Sequence, residues 1–145
     1  MVTLSLTMRQ AETDVTPVEA IGFATGQKFA EKLTKDYNRF KDELDIIKFV
    51  CKEFWNALFG KQIDNLRTNH MGVYVLLDQR FRLISRISNS RQFNDQMPRY
   101  VAFTCGMTRG ALASLGLDAV VTADILTAPA VKFQLQIVKQ AQDSK

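Results

Sequence analysis

The side chains able to do chemistry are few and widely spaced. His70 is the single histidine of the chain, so a Ser–His–Asp or Cys–His relay would have to run through it. Its surroundings, Thr68-Asn69-His70-Met71-Gly72, read as a polar turn entering a strand, with nothing resembling a nucleophile elbow nearby. Cys51 and Cys105 form no C-x-x-C pair, and each sits in an apolar, helix-like stretch. There a free cysteine behaves as a small buried hydrophobe, a usage that fits a reducing compartment better than a disulfide scaffold. A zinc site would need carboxylates drawn from distant segments, so we expect no metal and no cofactor. Asp42, Glu43 and Asp45 cluster as paired carboxylates would, but they fall in the first turns of a helix, where their charge complements the helix dipole. Gly22, Gly26, Gly106 and Gly110 lie inside helices instead of between a strand and a helix, and therefore cannot cradle a phosphate. No catalytic constellation survives, and the chain reads as a non-enzyme.

The basic residues are the remaining chemical signal. Arg80, Arg82, Arg86, Arg91 and Arg99 fall within twenty residues, with Asp78 and Asp95 nearby and Phe81 and Phe93 interleaved. Arginine with aromatics on a sheet face is one way to hold single-stranded nucleic acid, and a basic patch also suits an anionic membrane surface. Phe81 alternates with the arginines, however, and should face the core, and the RNP pattern of an RRM is absent. A solvated strand face is the preferred reading, with a basic-hairpin nucleic-acid-binding module as the alternative. The whole chain carries nineteen basic and fifteen acidic side chains, a net +4 that is compatible with an anionic partner without demanding one.

These residues must be positioned by one core. With 145 residues, 46% hydrophobic and 23% charged, the composition is that of a single globular domain. No apolar run approaches the ~18–20 residues that span a bilayer, and no basic stretch and apolar h-region mark the N-terminus. Residues 1–15 read as a flexible N-terminal arm, and 16–145 as the domain. Thr16-Pro17-Val18-Glu19 opens the first helix with a capping box and a proline at the first position. Its stripe is Val18, Ile21, Gly22, Thr25, Gly26, Phe29, Ala30 and Leu33, with Phe23 off that stripe. A second helix capped by Asp36 runs to about Phe59 and is apolar on most sides, with Gly60 as its stop.

Val73 to Leu77 is expected to pair with Phe81–Ile87 in a hairpin. A third helix opens at Pro98, carries the small ladder Ala102, Gly106, Gly110 and Ala113, and stops at Gly116. Two strands, Ala119–Ile125 and Val131–Ile137, complete the order. The expectation is an α+β fold with a four-stranded, mostly antiparallel twisted sheet and helices packed on it.

Several blocks carry a family resemblance. Phe40 to Trp55, Lys61-Gln62-Ile63-Asp64-Asn65-Leu66-Arg67-Thr68-Asn69-His70, Gly72 to Leu76, Phe103-Thr104-Cys105-Gly106, Arg109-Gly110-Ala111-Leu112, Leu115-Gly116 and Val120 to Ala123 resemble the subunit-six family of the TRAPP tethering complex. The Cys-Gly-x-x-Arg-Gly-Ala-Leu helix is shared by the broader Bet-three superfamily, whereas the Lys61–His70 block is specific to subunit six. The likeness covers about residues 18–139. It implies a Bet-three-like α/β plait and a non-catalytic scaffold that heterodimerises with a Bet-three-type subunit and joins other TRAPP core subunits. That core acts as a nucleotide exchange factor for a Rab/Ypt GTPase, which this chain would meet only indirectly. The implied setting is cytoplasmic, peripheral on cis-Golgi and endoplasmic-reticulum–Golgi membranes, in endoplasmic-reticulum-to-Golgi and Golgi traffic and in autophagy, with no nucleic-acid partner. The superfamily also includes members with apolar channels, so a small apolar ligand stays open.

Two departures from the family pattern stand out. Where the Bet-three paralogue carries an acyl-modified cysteine, this chain has Tyr37, which cannot form a thioester. Family members also usually begin with an extra helix that contributes to the dimer contact, and residues 1–15 are short and polar by comparison. The first helix is expected to supply much of the partner surface, with Phe23 as an aromatic anchor beside Gly22, Gly26 and Phe29. The same four residues suit an internal core equally well, because one stripe of the helix must face the sheet.

Overall fold

The order of apolar faces along the chain yields four antiparallel strands with helices laid across one face. The structure is a computed structural model and describes residues 16–35, 40–81, 93–127 and 130–138. The expected arm, residues 1–15, lies outside them, as do Asp36 and Tyr37. Helix α1 (Thr16–Leu33) has the expected bounds. It buries Gly22, Gly26 and Ala30 and exposes Ala20, Ile21, Ala24 and Lys28.

The long second helix differs in two respects from its expectation. It begins at Glu43, because Asp42 is the cap: its backbone is extended at φ −153° and its Oδ1 accepts the Asp45 N–H at 2.9 Å. It is also not uniformly α-helical. Helix α2 (Glu43–Phe49) passes into a π-helical turn, Val50–Phe54, and then into α3 (Trp55–Phe59). Within the wide turn the Cys51 carbonyl accepts a hydrogen bond from Ile63 N–H at 3.0 Å, which ties the following link back onto the helix. Gly60, left-handed at φ 76°, ends the run as expected.

Strands β1 (Asn65–Thr68), β2 (Val73–Asp78), β3 (Ala119–Ile125) and β4 (Val131–Ile137) form one sheet in the order β1-β2-β4-β3, every pair antiparallel. The four-stranded antiparallel expectation holds, but one strand is a different segment. A strand has two edges, and those of β2 are taken by β1 and β4, so β2 has none left for the expected hairpin partner. The true partner is Asn65–Thr68, four residues within what reads as a polar link. Phe81 does face the core, fully buried with its ring centroid 5.4 Å from Phe133 and 5.3 Å from Phe59; Arg82–Ile87 lie outside the described residues.

Helix α4 (Phe93–Ser114) begins five residues before the expected start, with Pro98 inside it. It ends as expected at Gly116, which is left-handed at φ 98°. Leu117 N–H bonds to Leu112 O at 2.8 Å and Gly116 N–H to Ala113 O at 3.1 Å, the paired bonds of a Schellman motif. Trp55, Phe54, Phe81, Phe133, Ile47 and Leu76 make the centre of the core.

Candidate partner-binding surface

The two glycine ladders meet each other. Gly22 and Gly26 of α1 lie on the backbone of Phe103 and Met107 in α4, and Gly106 and Gly110 of α4 lie on the backbone of Glu19 and Phe23 in α1. A Cβ at any of the four would fall within 3 Å of a carbonyl oxygen on the facing helix. The close backbone approach anticipated on each helix is thus one reciprocal seam inside the chain. Each internal glycine sacrifices ~1 kcal/mol of helix propensity relative to alanine, and the gain is direct backbone-to-backbone packing.

The seam sorts the four candidate interface residues. Gly22 and Gly26 are buried within it, and Phe29 is half-buried with its ring 5.8 Å from Phe54, edge to face. All three seat α1 on the rest of the fold. Phe23 is half-exposed at the margin of the seam, with the Arg109 guanidinium 4.2 Å from its ring centroid. Arg109 Nε is also 3.8 Å from Glu19 Oε2, so aromatic, cation and acid run in sequence across the α1–α4 boundary. On the other flank, Ile21 is 62% exposed, a large apolar side chain that the stripe pattern assigns to the buried face. The outward face between Ile21 and Phe23 is built from Ala20, Ala24 and Lys28. Ala20 and Ala24 leave little side-chain bulk on part of this face, so another helix can approach closely there, with Lys28 and Glu31 standing beside it.

The end of β2 holds a buried polar lock that no sequence motif marks. Asp78 is fully buried at the end of β2 and accepts Trp55 Nε1–H at 2.9 Å, Lys61 Nζ–H at 2.8 Å and the Arg80 N–H at 3.0 Å. Lys61 also donates to Asp64 Oδ2 at 2.6 Å, and that oxygen accepts Gln79 N–H at 2.7 Å. Burial lowers the Lys61 pKa, but its hydrogen bonds to Asp64 and Asp78 outweigh that and hold it above the usual lysine range. Burial raises Asp64 less than the Lys61 and Gln79 bonds lower it, leaving its carboxyl below the usual range. The spacing Lys61-x-x-Asp64 was the available signal, since it places an acid within reach of a lysine just before a strand. Nearby, Tyr74 Oη–H donates to Glu43 Oε2 at 2.6 Å; burial and that carboxylate push its phenol up to about 12.

Asp42, Glu43 and Asp45 divide between a helix cap, the Tyr74 bond and a bond from Lys41 N–H, which is structural work. His70 is exposed in a left-handed turn at φ 61°, its N–H bonded to Thr68 Oγ1 at 3.0 Å. Among the described residues no group of three or more His, Cys, Asp or Glu could hold a metal, and no helix is long and apolar enough to cross a membrane. Of the five arginines, Arg80 and Arg99 are exposed, and Arg82, Arg86 and Arg91 lie outside the described residues or side chains.

Comparison with known proteins bears on this surface. Residues 1–138 match the family described as transport protein particle (TRAPP) component. Trafficking protein particle complex subunit 6B of Mus musculus is 54% identical over 125 residues, covering 86% of this chain and 79% of its own. Subunit 6b of Danio rerio is 52% identical over 125 residues, covering 86% and 80%. Subunit 6A of Bos taurus is 45% identical over 128 residues, covering 88% and 80%. Among solved structures, a trafficking protein particle complex subunit 3 from Naegleria fowleri, covalently bound to palmitic acid, superposes with a TM-score of 0.67 over 86% of this chain and 80% of its own. At 14% identity that likeness speaks for the fold.

Proposed function

The chain belongs to the TRAPP component family, in its subunit-six branch, and from that premise we propose that it is a non-catalytic scaffold pairing with a Bet-three-type subunit through the outward face of α1. Ile21 and Phe23 anchor the two flanks of that face, while Gly22, Gly26 and Phe29 seat the helix beneath it. The pair takes its place in the TRAPP core, peripheral on the cytosolic side of cis-Golgi and endoplasmic-reticulum–Golgi membranes, where the complex promotes nucleotide exchange on a Rab/Ypt GTPase. In this reading the chain contributes surface and no reacting group.

The observation that carries the reading is the 62% exposure of Ile21 on a helix whose other face is closed by the glycine seam. An exposed isoleucine beside small residues offers apolar area at little cost in side-chain entropy. Ile21→Asp tests it, because the position bears no weight in the fold. The variant should fail to co-purify with a Bet-three-type subunit while melting as the wild type does. Unchanged co-purification would take the outward face of α1 out of the interface.

A further inference from the structure

Strand β2 presents Val73, Val75 and Leu77 to the face of the sheet opposite the buried Tyr74, Leu76 and Asp78. In register, Arg67 of β1 stands beside Val75, while Asn65 of β1 and Lys132 of β4 stand on either side of Leu77. With Leu126, which is 43% exposed, these residues line an open cavity of about 220 Å³. Its floor is apolar and its lining holds two cations and no carboxylate. Asp124, in register with Lys132, lies 4.0 Å from its ammonium group, at the limit of an ion pair. The cavity is smaller than the ~300–1,000 Å³ usual for a drug-sized ligand and matches one large side chain.

We propose that this cavity on the outer sheet face docks an acidic segment of a partner protein, one bulky apolar side chain seating on Val75, Leu77 and Leu126 while flanking carboxylates meet Arg67 and Lys132. Size and charge carry the assignment. A single pocketed aromatic surrounded by near-neutral contacts is the usual form of an interface hot spot. Cations at the rim set which sequences are accepted, since like charge there is repelled.

The test is a titration of the ¹⁵N-labelled full chain with the capped pentapeptide Glu-Glu-Trp-Glu-Glu, followed by amide shifts. Saturable shifts at Val75, Leu77, Leu126 and Lys132 are expected, with Kd below about 1 mM in ~0.05 M salt. Lys-Lys-Trp-Lys-Lys and Glu-Glu-Ala-Glu-Glu should each bind about tenfold more weakly or worse, and Arg67→Ala with Lys132→Ala should weaken the acidic peptide about tenfold. Trp55, the only tryptophan of the chain, reports through its indole N–H that the variant is folded. No shift at these residues, equal affinity for the basic peptide, or shifts centred elsewhere would overturn the proposal.

Discussion

The indole N–H of Trp55 donates to Oδ2 of the fully buried Asp78 at 2.9 Å, joining the start of α3 to the end of β2. Lys61 reaches the other oxygen at 2.8 Å, so the carboxylate is both neutralised and hydrogen-bonded. A buried carboxylate is tolerable only in that condition. Trp55 in turn packs edge to face on Phe133, at 5.2 Å between ring centroids, so the polar lock and the aromatic core share a residue.

Removing Asp78 should therefore cost more than removing its indole donor. Asp78→Ala leaves the Trp55 indole N–H and the Arg80 N–H without their acceptor and takes from Lys61 one of its two acid partners, and is expected to destabilise by about 3 kcal/mol. Trp55→Phe removes the indole donor to Asp78 Oδ2 and should cost about 1–2 kcal/mol. Urea denaturation of both variants checks the order; an equal or reversed ranking would show that packing, not the charge, dominates here.

The glycine seam makes an inverted prediction for Gly→Ala. In an exposed helix alanine would stabilise by about 1 kcal/mol. Gly26→Ala and Gly110→Ala instead place a methyl group against a facing backbone carbonyl, and overpacking of that kind costs about 1–3 kcal/mol. Net loss of stability by chemical denaturation is the expected outcome, and net stabilisation would mean that the helices are farther apart.

The lock also predicts a pH window. Asp64's folded pKa lies below its unfolded value, so its contribution is complete above about 3.9 and is lost as pH falls through the folded value. Lys61's folded pKa lies above its unfolded value, so its contribution is complete below about 10.4 and is lost as pH rises through the folded value. Lys61→Met should flatten the alkaline side of the stability profile. An alkaline limb unchanged by that substitution would assign it to other groups.

Cys51 and Cys105 should resist thiol reagents until the chain unfolds. Burial pushes the Cys51 thiol up to about 12 and the Cys105 thiol higher still, so little thiolate exists at neutral pH. Labelling that tracks unfolding in denaturant supports this, and rapid labelling of the native protein would contradict it.

Much of this was legible before the structure because periodicity reports burial. The bounds of α1, the strands β3 and β4, and both glycine stops follow from apolar spacing and left-handed caps. What spacing cannot report is which face meets which. The ladders of Gly22/Gly26 and Gly106/Gly110 were each visible, but only the fold shows that each closes the other, leaving Phe23 at the margin and Ile21 outside. Strand β1 was hidden because Asn65-Leu66-Arg67-Thr68 has one apolar side chain and draws its strand geometry from pairing with β2. Asp78 read as a turn residue, since the partners that make it a buried anion are 23 and 17 positions away.

A scaffold of this kind must pair with its partner subunit. Co-expression of this chain, 16.4 kDa, with a Bet-three-type subunit, followed by size-exclusion chromatography with light scattering, measures it directly. The expected result is one species whose mass is the sum of the two chains. Phe23→Asp, which removes an anchor worth ~2 kcal/mol or more, should shift it toward separate monomers, while the isolated chain loses only the ~0.5–1 kcal/mol of the Arg109 contact and stays folded. A wild-type chain that elutes as a monomer beside an indifferent partner would contradict the scaffold reading.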